Sequence, residues 1–208
     1  MNHFEKSKFI LAKLNELFPS PQIPLHFSDP FTCLIAVMLS AQCTDAVVNV
    51  VTNKLFNNVK TPREIIDLGE ERLKSIIRPC GLFNAKSKHI VDTAKAILER
   101  HNGRVPHTFA ELETLPGVGH KTASVIMGQC FDEPAFPVDT HIARLANRWD
   151  LEKSHDVKKI ENSLKKFFPA STWKTLHIQL ILYGRQFCPA KKHVVENCPI
   201  CLEFSKHI

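Results

Sequence analysis

The segment LPGVGHKTA, Leu115 to Ala123, combines residue types that could bind an anion and attack an electrophile. Pro116 cannot continue a helix, and Gly117 adopts a positive φ at no steric cost. The next residues, HKTASVIMGQCF, predict a helix whose first amides have no internal partner, which makes an anion site. A side chain at Gly119 or Gly117 would hold a phosphate away. Lys121, at the start of this helix, is a candidate nucleophile.

Two other interpretations of this segment are possible. GVGHKT resembles the phosphate loop of nucleotide-binding proteins, but that loop needs a glycine directly before Lys-Thr, and His120 intervenes here. No predicted strand precedes the turn either, so we exclude this reading. A structural helix–helix turn with a solvated Lys121 remains as the alternative. Asp139, eighteen residues further on in FPVDTHIARLANR, is predicted to be a helix N-cap, and an N-cap aspartate alone is commonplace.

The elements that must position these residues are predicted to be helices throughout. Pro30 suits the first position of an apolar helix, PFTCLIAVMLSAQ. Capping boxes are predicted at Thr61–Glu64 and Thr108–Glu111, and Gly103 is a plausible left-handed helix end. Further helices are predicted over residues 141–149, 157–168 and 172–187. Neither strand alternation nor a hairpin dipeptide is found, so the fold class is all-α.

The composition is that of an ordinary globular protein, with 44% hydrophobic and 23% charged residues among 208. No apolar run approaches the roughly 20 residues that span a bilayer. The N-terminal MNHFEKSKF carries charges among its apolar residues, unlike a signal peptide. Seven cysteines without an export signal predict reduced thiols. We therefore expect a soluble cytoplasmic protein with no membrane partner.

The basic charge is concentrated late in the chain. Residues 1–140 balance 15 basic with 15 acidic residues, and the remaining 12 basic against 6 acidic residues place the whole excess after residue 140. A second basic stretch, Arg72 to Lys88, contains no acid. Such surfaces serve either solubility or phosphate binding.

Several motifs in a fixed order extend over nearly the whole chain. They are SAQCTD (Ser40 to Asp45), GLFNAK (Gly81 to Lys86), HNGRVP (His101 to Pro106), the glycine turn with Lys121, VDTHIAR (Val138 to Arg144) and YGRQFC (Tyr183 to Cys188). This set strongly resembles the endonuclease III family of the helix-hairpin-helix superfamily, which repairs DNA.

The resemblance implies two helical domains flanking a DNA groove. A six-helix, barrel-like domain over residues 22–134 would contain the helix-hairpin-helix at about 108–131. Residues 1–21 and 135–208 would form the second, terminal-helix domain. Lys121 would face the groove from the first domain and Asp139 from the second. A monomer is expected.

The resemblance also implies the activity. The enzyme would remove oxidised or ring-damaged pyrimidines from double-stranded DNA and cleave the 3′ side of the abasic site by β-elimination. Lys121 would attack C1′ and form a Schiff base, while Asp139 would stabilise oxocarbenium character. A protonated lysine cannot attack, and both the helix N-terminus and partial burial are expected to favour the neutral amine. Gln42 and Leu82 would insert into the duplex beside the flipped base, and we call them the wedge residues. Other DNA contacts are expected at Leu115, Gly117, Gly119 and His120.

The C-terminal segment departs from the family pattern. Family members carry a [4Fe–4S] cluster on cysteines spaced C-x6-C-x2-C-x5-C. Here Cys188, Cys198 and Cys201 are present, but the first gap has nine residues and His207 replaces the fourth cysteine. The resemblance implies a [4Fe–4S] cluster held by Cys188, Cys198, Cys201 and His207, since histidine replaces cysteine at some iron–sulfur centres. A tetrahedral Cys3His zinc site and an empty site are the alternatives. The other four cysteines are expected to act as small apolar residues.

Three alternatives of function remain. Adenine-excising relatives lack a lysine at position 121 and carry a long C-terminal domain, so they fit less well. A glycosylase without lyase activity and a non-catalytic DNA-binding module are the others, and Lys121 together with Asp139 argues against both. His120 replaces a frequent arginine and Tyr183 a frequent histidine, and neither change should abolish the chemistry. The preferred base and the strength of the lyase step do not follow from the sequence.

Overall fold

A computed structural model describes residues 1–205 of the chain, and these residues are predominantly helical, with no β-strand among them. The expected all-α class is therefore confirmed. The helices are α1 (His3–Leu17), α2 (Pro30–Ser40), α3 (Asp45–Phe56), α4 (Pro62–Leu68), α5 (Glu70–Ile77), α6 (Phe83–His101), α7 (Phe109–Leu112), α8 (His120–Cys130), α9 (Thr140–Arg148), α10 (Val157–Phe167), α11 (Trp173–Gln186) and α12 (Pro199–Ser205). No helix in this part of the chain is long and apolar enough to cross a bilayer.

The described residues form two compact units. One is continuous, Ile23–Glu133, and contains α2 to α8; the other joins Met1–Gln22 to residues 134–205. Residues 23–133, all described, contain seven α-helices where the resemblance implied six. One reason is Gly69: its φ of +77° ends α4 and lets α5 start at once, so two short helices follow each other directly.

Local capping signals place the helix starts. Asp29 caps α2 by accepting from the amides of Phe31 and Thr32 at 2.9 Å each, and Pro30 is the first residue of the helix. Thr61 and Glu64 form the predicted capping box of α4. At α7 only half of the box forms, because the Glu111 carboxylate accepts from the Thr108 hydroxyl and not from its amide. The threonine and aspartate side chains at these positions satisfy amides that the helix cannot.

The core of the continuous unit is built around α2. Its residues Phe31 to Leu39 are all buried, and it packs against α3, α6 and α8. A helix that is apolar on all sides must be enclosed by others. The second unit has its own core, in which the fully buried rings of Trp149, Tyr183 and Phe136 pack with Ile10 and Leu14. Each unit therefore has a core of its own beneath its functional residues.

Candidate active site

The glycine turn between α7 and α8 is held against α6. Gly117 has a φ of +75°, and a Cβ built there would lie 2.8 Å from the Cβ of His89. The hydroxyl of Thr93 donates to the carbonyl oxygen of Pro116 at 2.6 Å. A left-handed backbone this close to another side chain requires glycine. Gly117 is thus explained by the fold itself.

Gly119 has a different explanation. It is the N-cap of α8 with a φ of −93°, and a Cβ built there would meet nothing within 4 Å. No side chain caps the first turn of this helix. Packing and backbone geometry would accept other residues at position 119, so the glycine keeps open the space before the first amides of α8. This is the geometry of an anion site at a helix N-terminus.

Lys121 is the second residue of α8, and its side chain is exposed. The partial burial expected from the sequence is therefore wrong. The residues of α8 that face the core are Ala123 to Gly128, and Lys121 precedes them on the outer side of the first turn. The side chain is therefore accessible to a large substrate, two residues after the open N-cap at Gly119.

Two predicted DNA contacts near the turn have side chains that are otherwise engaged. The Nδ1 atom of His120 lies 2.6 Å from Oε1 of Glu113, and its ring stacks on Phe109 with centroids 5.6 Å apart. Leu115 is only 2% exposed, so its side chain belongs to the core and only its backbone is placed to contact a ligand. Their roles at DNA stay predictions.

The wedge residues share an unusual conformation. Gln42 and Leu82 both have left-handed backbones, with φ values of 54° and 46°, and both side chains are exposed. Leu82 is 57% exposed, which excludes the alternative that it is a buried loop residue. Left-handed non-glycine residues are sparsely populated and concentrate at functional sites, because the strain must be held by the surrounding structure.

Lys86 supplies that support, although no sequence motif predicts it as a site residue. Its buried ammonium donates to the carbonyl of Leu39 at 2.8 Å and to the carbonyl of Cys80 at 2.9 Å. Leu39 is near the end of α2, just before Gln42, and Cys80 precedes Leu82. Burial lowers the pKa of Lys86. Burial and the neighbouring Cys43 thiol raise the pKa of Cys80 to about 11.

One stripe of α6 connects these features. Leu82, Lys86, His89 and Thr93 follow at intervals of four, three and four residues, the spacing of one helix face. Leu82 caps the helix, Lys86 joins the two wedge loops, and His89 and Thr93 contact the glycine turn. The wedge loops and the turn before Lys121 are therefore fixed to the same helix. The helical spacing of Lys86 and Thr93 was the only sequence signal for this shared face. Their hydrogen-bond partners are distant in the chain and could not be predicted from the sequence.

Asp139, in the second unit, is the N-cap of α9 as expected. Its Oδ1 atom accepts from the amide of Ile142 at 2.9 Å, and the side chain is partly exposed. One carboxylate oxygen is thus oriented by the helix, and the N-terminal end of α9 stabilises its negative charge.

The C-terminal cysteines converge on a histidine that the sequence analysis missed. Ligand atoms of Cys188, His193, Cys198 and Cys201 all lie within 4.8 Å of one another. Cys188 and Cys198 are fully buried, and the Nε2 atom of His193 is buried without a hydrogen-bond partner. An orphaned buried nitrogen beside three sulfurs is the donor set of a metal site. His207, the expected fourth ligand, lies outside the described residues.

Neighbouring polar groups orient these sulfurs. Arg148 donates to Sγ of Cys188 at 3.1 Å, and the hydroxyl of Tyr183 lies 3.2 Å from Sγ of Cys198. Hydrogen bonds from Cys188 and Cys201 hold the pKa of Cys198 below its usual range, while those two thiols are raised in pKa. This group of cysteine side chains therefore stabilises Cys198 as a thiolate, the form of cysteine that binds metals.

Comparison with known proteins defines the class. Residues 35–170 match the family model described as the HhH-GPD superfamily base excision DNA repair protein. This range covers the wedge loops, the glycine turn, Lys121 and Asp139. A curated relative, endonuclease III of Haemophilus influenzae, is 45% identical over 191 residues, which are 92% of this chain and 90% of the relative.

Solved structures agree with this assignment. A non-covalent endonuclease III–DNA complex and a trapped covalent endonuclease III–DNA intermediate each match with a TM-score of 0.92 and 36% identity, covering 100% of this chain and 99% of theirs. The chain belongs to the endonuclease III family of the HhH-GPD superfamily. The enzyme class expected from the sequence, a bifunctional glycosylase and lyase of base excision repair, is thereby confirmed.

Proposed function

We propose that this enzyme excises damaged pyrimidines from duplex DNA and then cleaves the strand on the 3′ side of the abasic site through a Schiff base on Lys121. Endonuclease III, to which this chain is similar, has been solved in complex with DNA. The observation that carries the proposal is the exposed side chain of Lys121 in the first turn of α8, whose N-cap Gly119 supplies no capping side chain and leaves the space beside it open.

Lys121 would act as the nucleophile. Its neutral amine attacks C1′, the glycosidic bond breaks, and the damaged base leaves with the bonding electron pair and a proton. The sugar ring opens to a protonated imine, which acidifies C2′. Loss of the C2′ proton then expels the 3′ phosphate by β-elimination. DNA that covers the exposed side chain would exclude water from the amine.

Asp139 would stabilise positive charge as the glycosidic bond breaks. Its carboxylate is held by the amide of Ile142, so it needs no reorganisation to face a developing oxocarbenium ion. The same carboxylate could take and return protons during ring opening. Because only one oxygen is needed for the cap, the other is available for this chemistry.

The wedge residues and the glycine turn would hold the DNA. Gln42 and Leu82 are exposed on strained loops, which suits side chains that fill the gap left by a flipped base. The amides at the start of α8 would bind a phosphate, together with the backbone of the turn from Leu115 to Gly119 and His120. Such phosphate contacts make binding sensitive to salt.

Each of the two units would contribute different functional residues. Residues 23–133 would form the helix-hairpin-helix domain with the nucleophile and the wedge, and the other unit would contribute Asp139 and the cysteine site. The [4Fe–4S] cluster implied by the family resemblance and the zinc alternative both remain predictions for this site.

We also propose that the enzyme acts as a monomer in the cytoplasm, at the chromosomal DNA of the nucleoid.

The test is reductive trapping by borohydride on a duplex with one abasic site. Wild type is compared with Lys121→Gln, Asp139→Asn and the control Lys95→Ala, which changes an exposed lysine near Asp92. We expect a covalent adduct with wild type and Lys95→Ala and none with Lys121→Gln. Asp139→Asn keeps a capping side chain but removes the charge, so it should slow excision of a damaged base by at least about a hundredfold, the scale of one electrostatic group.

A wild-type enzyme that binds the duplex but gives no adduct would contradict the lyase assignment. Base release without an adduct would then identify a monofunctional glycosylase. Binding without base release would identify a non-catalytic module in which Lys121 contacts a phosphate.

A further inference from the structure

The spacing of the C-terminal ligands differs from that of a four-cysteine cluster. Cys188, His193, Cys198 and Cys201 follow as C-x4-H-x4-C-x2-C. The first cysteine gap, three residues longer than the six-residue gap typical of the family, has His193 at its centre. The extra length lets the chain turn back, so that an imidazole reaches the sulfurs before the CPIC pair begins.

The distances among these donors are those of a site for one ion. Zinc–sulfur bonds of about 2.3 Å in a tetrahedron place two sulfurs about 3.8 Å apart. The Sγ atoms of Cys188 and Cys201 are 3.8 Å apart. In a cubane cluster each ligand binds a different iron, so its sulfurs must be separated by an additional iron–iron edge. Four donors within 4.8 Å of one another do not provide that separation.

Surrounding groups complete a closed mononuclear site. Three thiolates and a neutral imidazole around a divalent ion leave one negative charge, and the guanidinium of Arg148 donates directly to Cys188 to balance it. Arg148 also binds the carbonyl of Pro189 at 2.8 Å, and Tyr183 accepts from the amide of Ile200 at 2.9 Å while contacting Cys198. Partners of this kind fix the orientation of ligating residues.

We propose that Cys188, His193, Cys198 and Cys201 bind a single zinc ion in a closed tetrahedral site in place of the iron–sulfur cluster of the family. All four positions are filled by protein, so the ion has a structural and not a catalytic role. It fastens residues 188–201 to α9 and α11, where Arg148 and Tyr183 reside. Its binding free energy stabilises the second unit.

The experiment measures metal content and coordination on the full chain. Protein is purified anaerobically from cells supplied with both iron and zinc, and its zinc, iron and acid-labile sulfide are quantified. Zinc is then exchanged for Co(II), whose visible d–d bands report tetrahedral thiolate coordination. The variants are His193→Ala, His193→Cys, His207→Ala and the surface control His155→Ala.

We expect one zinc per chain, no labile sulfide and a tetrahedral Co(II) spectrum in wild type. His193→Ala should weaken zinc binding by more than about tenfold, since even an outer partner of a ligand contributes that much. His193→Cys should keep the ion and increase thiolate-to-cobalt charge transfer. His207→Ala and His155→Ala should behave as wild type.

Three results would overturn the proposal. Iron and labile sulfide in equal amounts, with a broad visible absorption, would establish a cluster. A chain that binds neither Zn(II) nor Co(II) would establish an empty site. Loss of the ion in His207→Ala, with His193→Ala unaffected, would assign the fourth ligand to His207.

Discussion

The ammonium of Lys86 donates a 2.8 Å hydrogen bond to the carbonyl of Leu39, forty-seven residues earlier in the chain. With its second bond to Cys80, it joins the loop that carries Gln42 to the loop that carries Leu82. A lysine that is buried without a carboxylate partner loses the hydration of its ammonium group. The two hydrogen bonds to carbonyl oxygens compensate for that loss. The side chain therefore links the two segments that lead into Gln42 and Leu82.

Replacing Lys86 tests this positioning role. In Lys86→Met the apolar stem remains, but the carbonyls of Leu39 and Cys80 lose their donor, which costs about 1–3 kcal/mol for each buried group left unsatisfied. We expect lower stability in urea and slower single-turnover excision of a damaged base. Trapping on an abasic duplex should be affected less, because no base has to be extruded there.

Lys86→Arg is the matched control, since it can still donate to both carbonyls. Partial recovery of excision by arginine would support positioning through these hydrogen bonds. Equal loss of excision and of trapping in Lys86→Met, in proportion to its instability, would show a structural role alone.

The two glycines of the turn should respond differently to alanine. Gly117→Ala places a Cβ against His89 at a left-handed backbone, so it should destabilise the fold by about 1–3 kcal/mol. Gly119→Ala meets no atom and should change stability by at most about 1 kcal/mol, the difference between glycine and alanine at an N-cap. It should nevertheless weaken binding to an abasic-site duplex, because the methyl group stands before the amides of α8. Urea unfolding and duplex titration separate the two effects; unchanged DNA affinity in folded Gly119→Ala would contradict the phosphate site.

Much of this site could be predicted because its signals are local. The glycines at 117 and 119, the helix start at His120 and the N-cap at Asp139 depend on neighbours within a few residues, and the structure confirms that local geometry. The exposure of Lys121 could not be predicted, since it depends on which face of α8 the core occupies.

The contacts that sequence analysis missed are long-range. Lys86 bonds to a residue forty-seven positions away, and Thr93 bonds to Pro116 across twenty-three. The family spacing points to the end of the chain for the fourth ligand, whereas the nine-residue gap itself supplies the imidazole of His193. Periodicity marks a helix face, but only the fold determines what that face contacts.

The carboxylate of Glu64 should make the continuous unit sensitive to acid. It accepts from the amides of Lys60 at 2.7 Å and Thr61 at 2.9 Å, and these bonds, led by the one from Lys60, hold its pKa below its ordinary value. A carboxyl with a lowered folded-state pKa contributes stability above its unfolded pKa of about 4.3, and this is lost as the pH falls through the folded value. Glu64→Gln should therefore unfold with a Tm that depends less on pH below about 4.3. Parallel Tm-against-pH curves for wild type and variant would refute this.

The strain at Leu82 leads to a prediction in which stability and activity change in opposite directions. Its φ of 46° is unfavourable for leucine and free of strain for glycine, and 57% of the side chain is exposed. Leu82→Gly should therefore keep the stability of the fold or raise it by up to about 1 kcal/mol, despite the loss of a large apolar residue. Excision of a damaged base should slow, because the gap left by the flipped base is no longer filled.

Leu82→Ala is the control, since it removes the same side chain but keeps the left-handed strain of a residue with a Cβ. It should lose excision to a similar extent without gaining stability. Urea unfolding and single-turnover excision on the same preparations decide the matter. If Leu82→Gly were destabilised as strongly as a core truncation, by about 2–5 kcal/mol, the residue would be a packing element and its exposure would have no functional meaning.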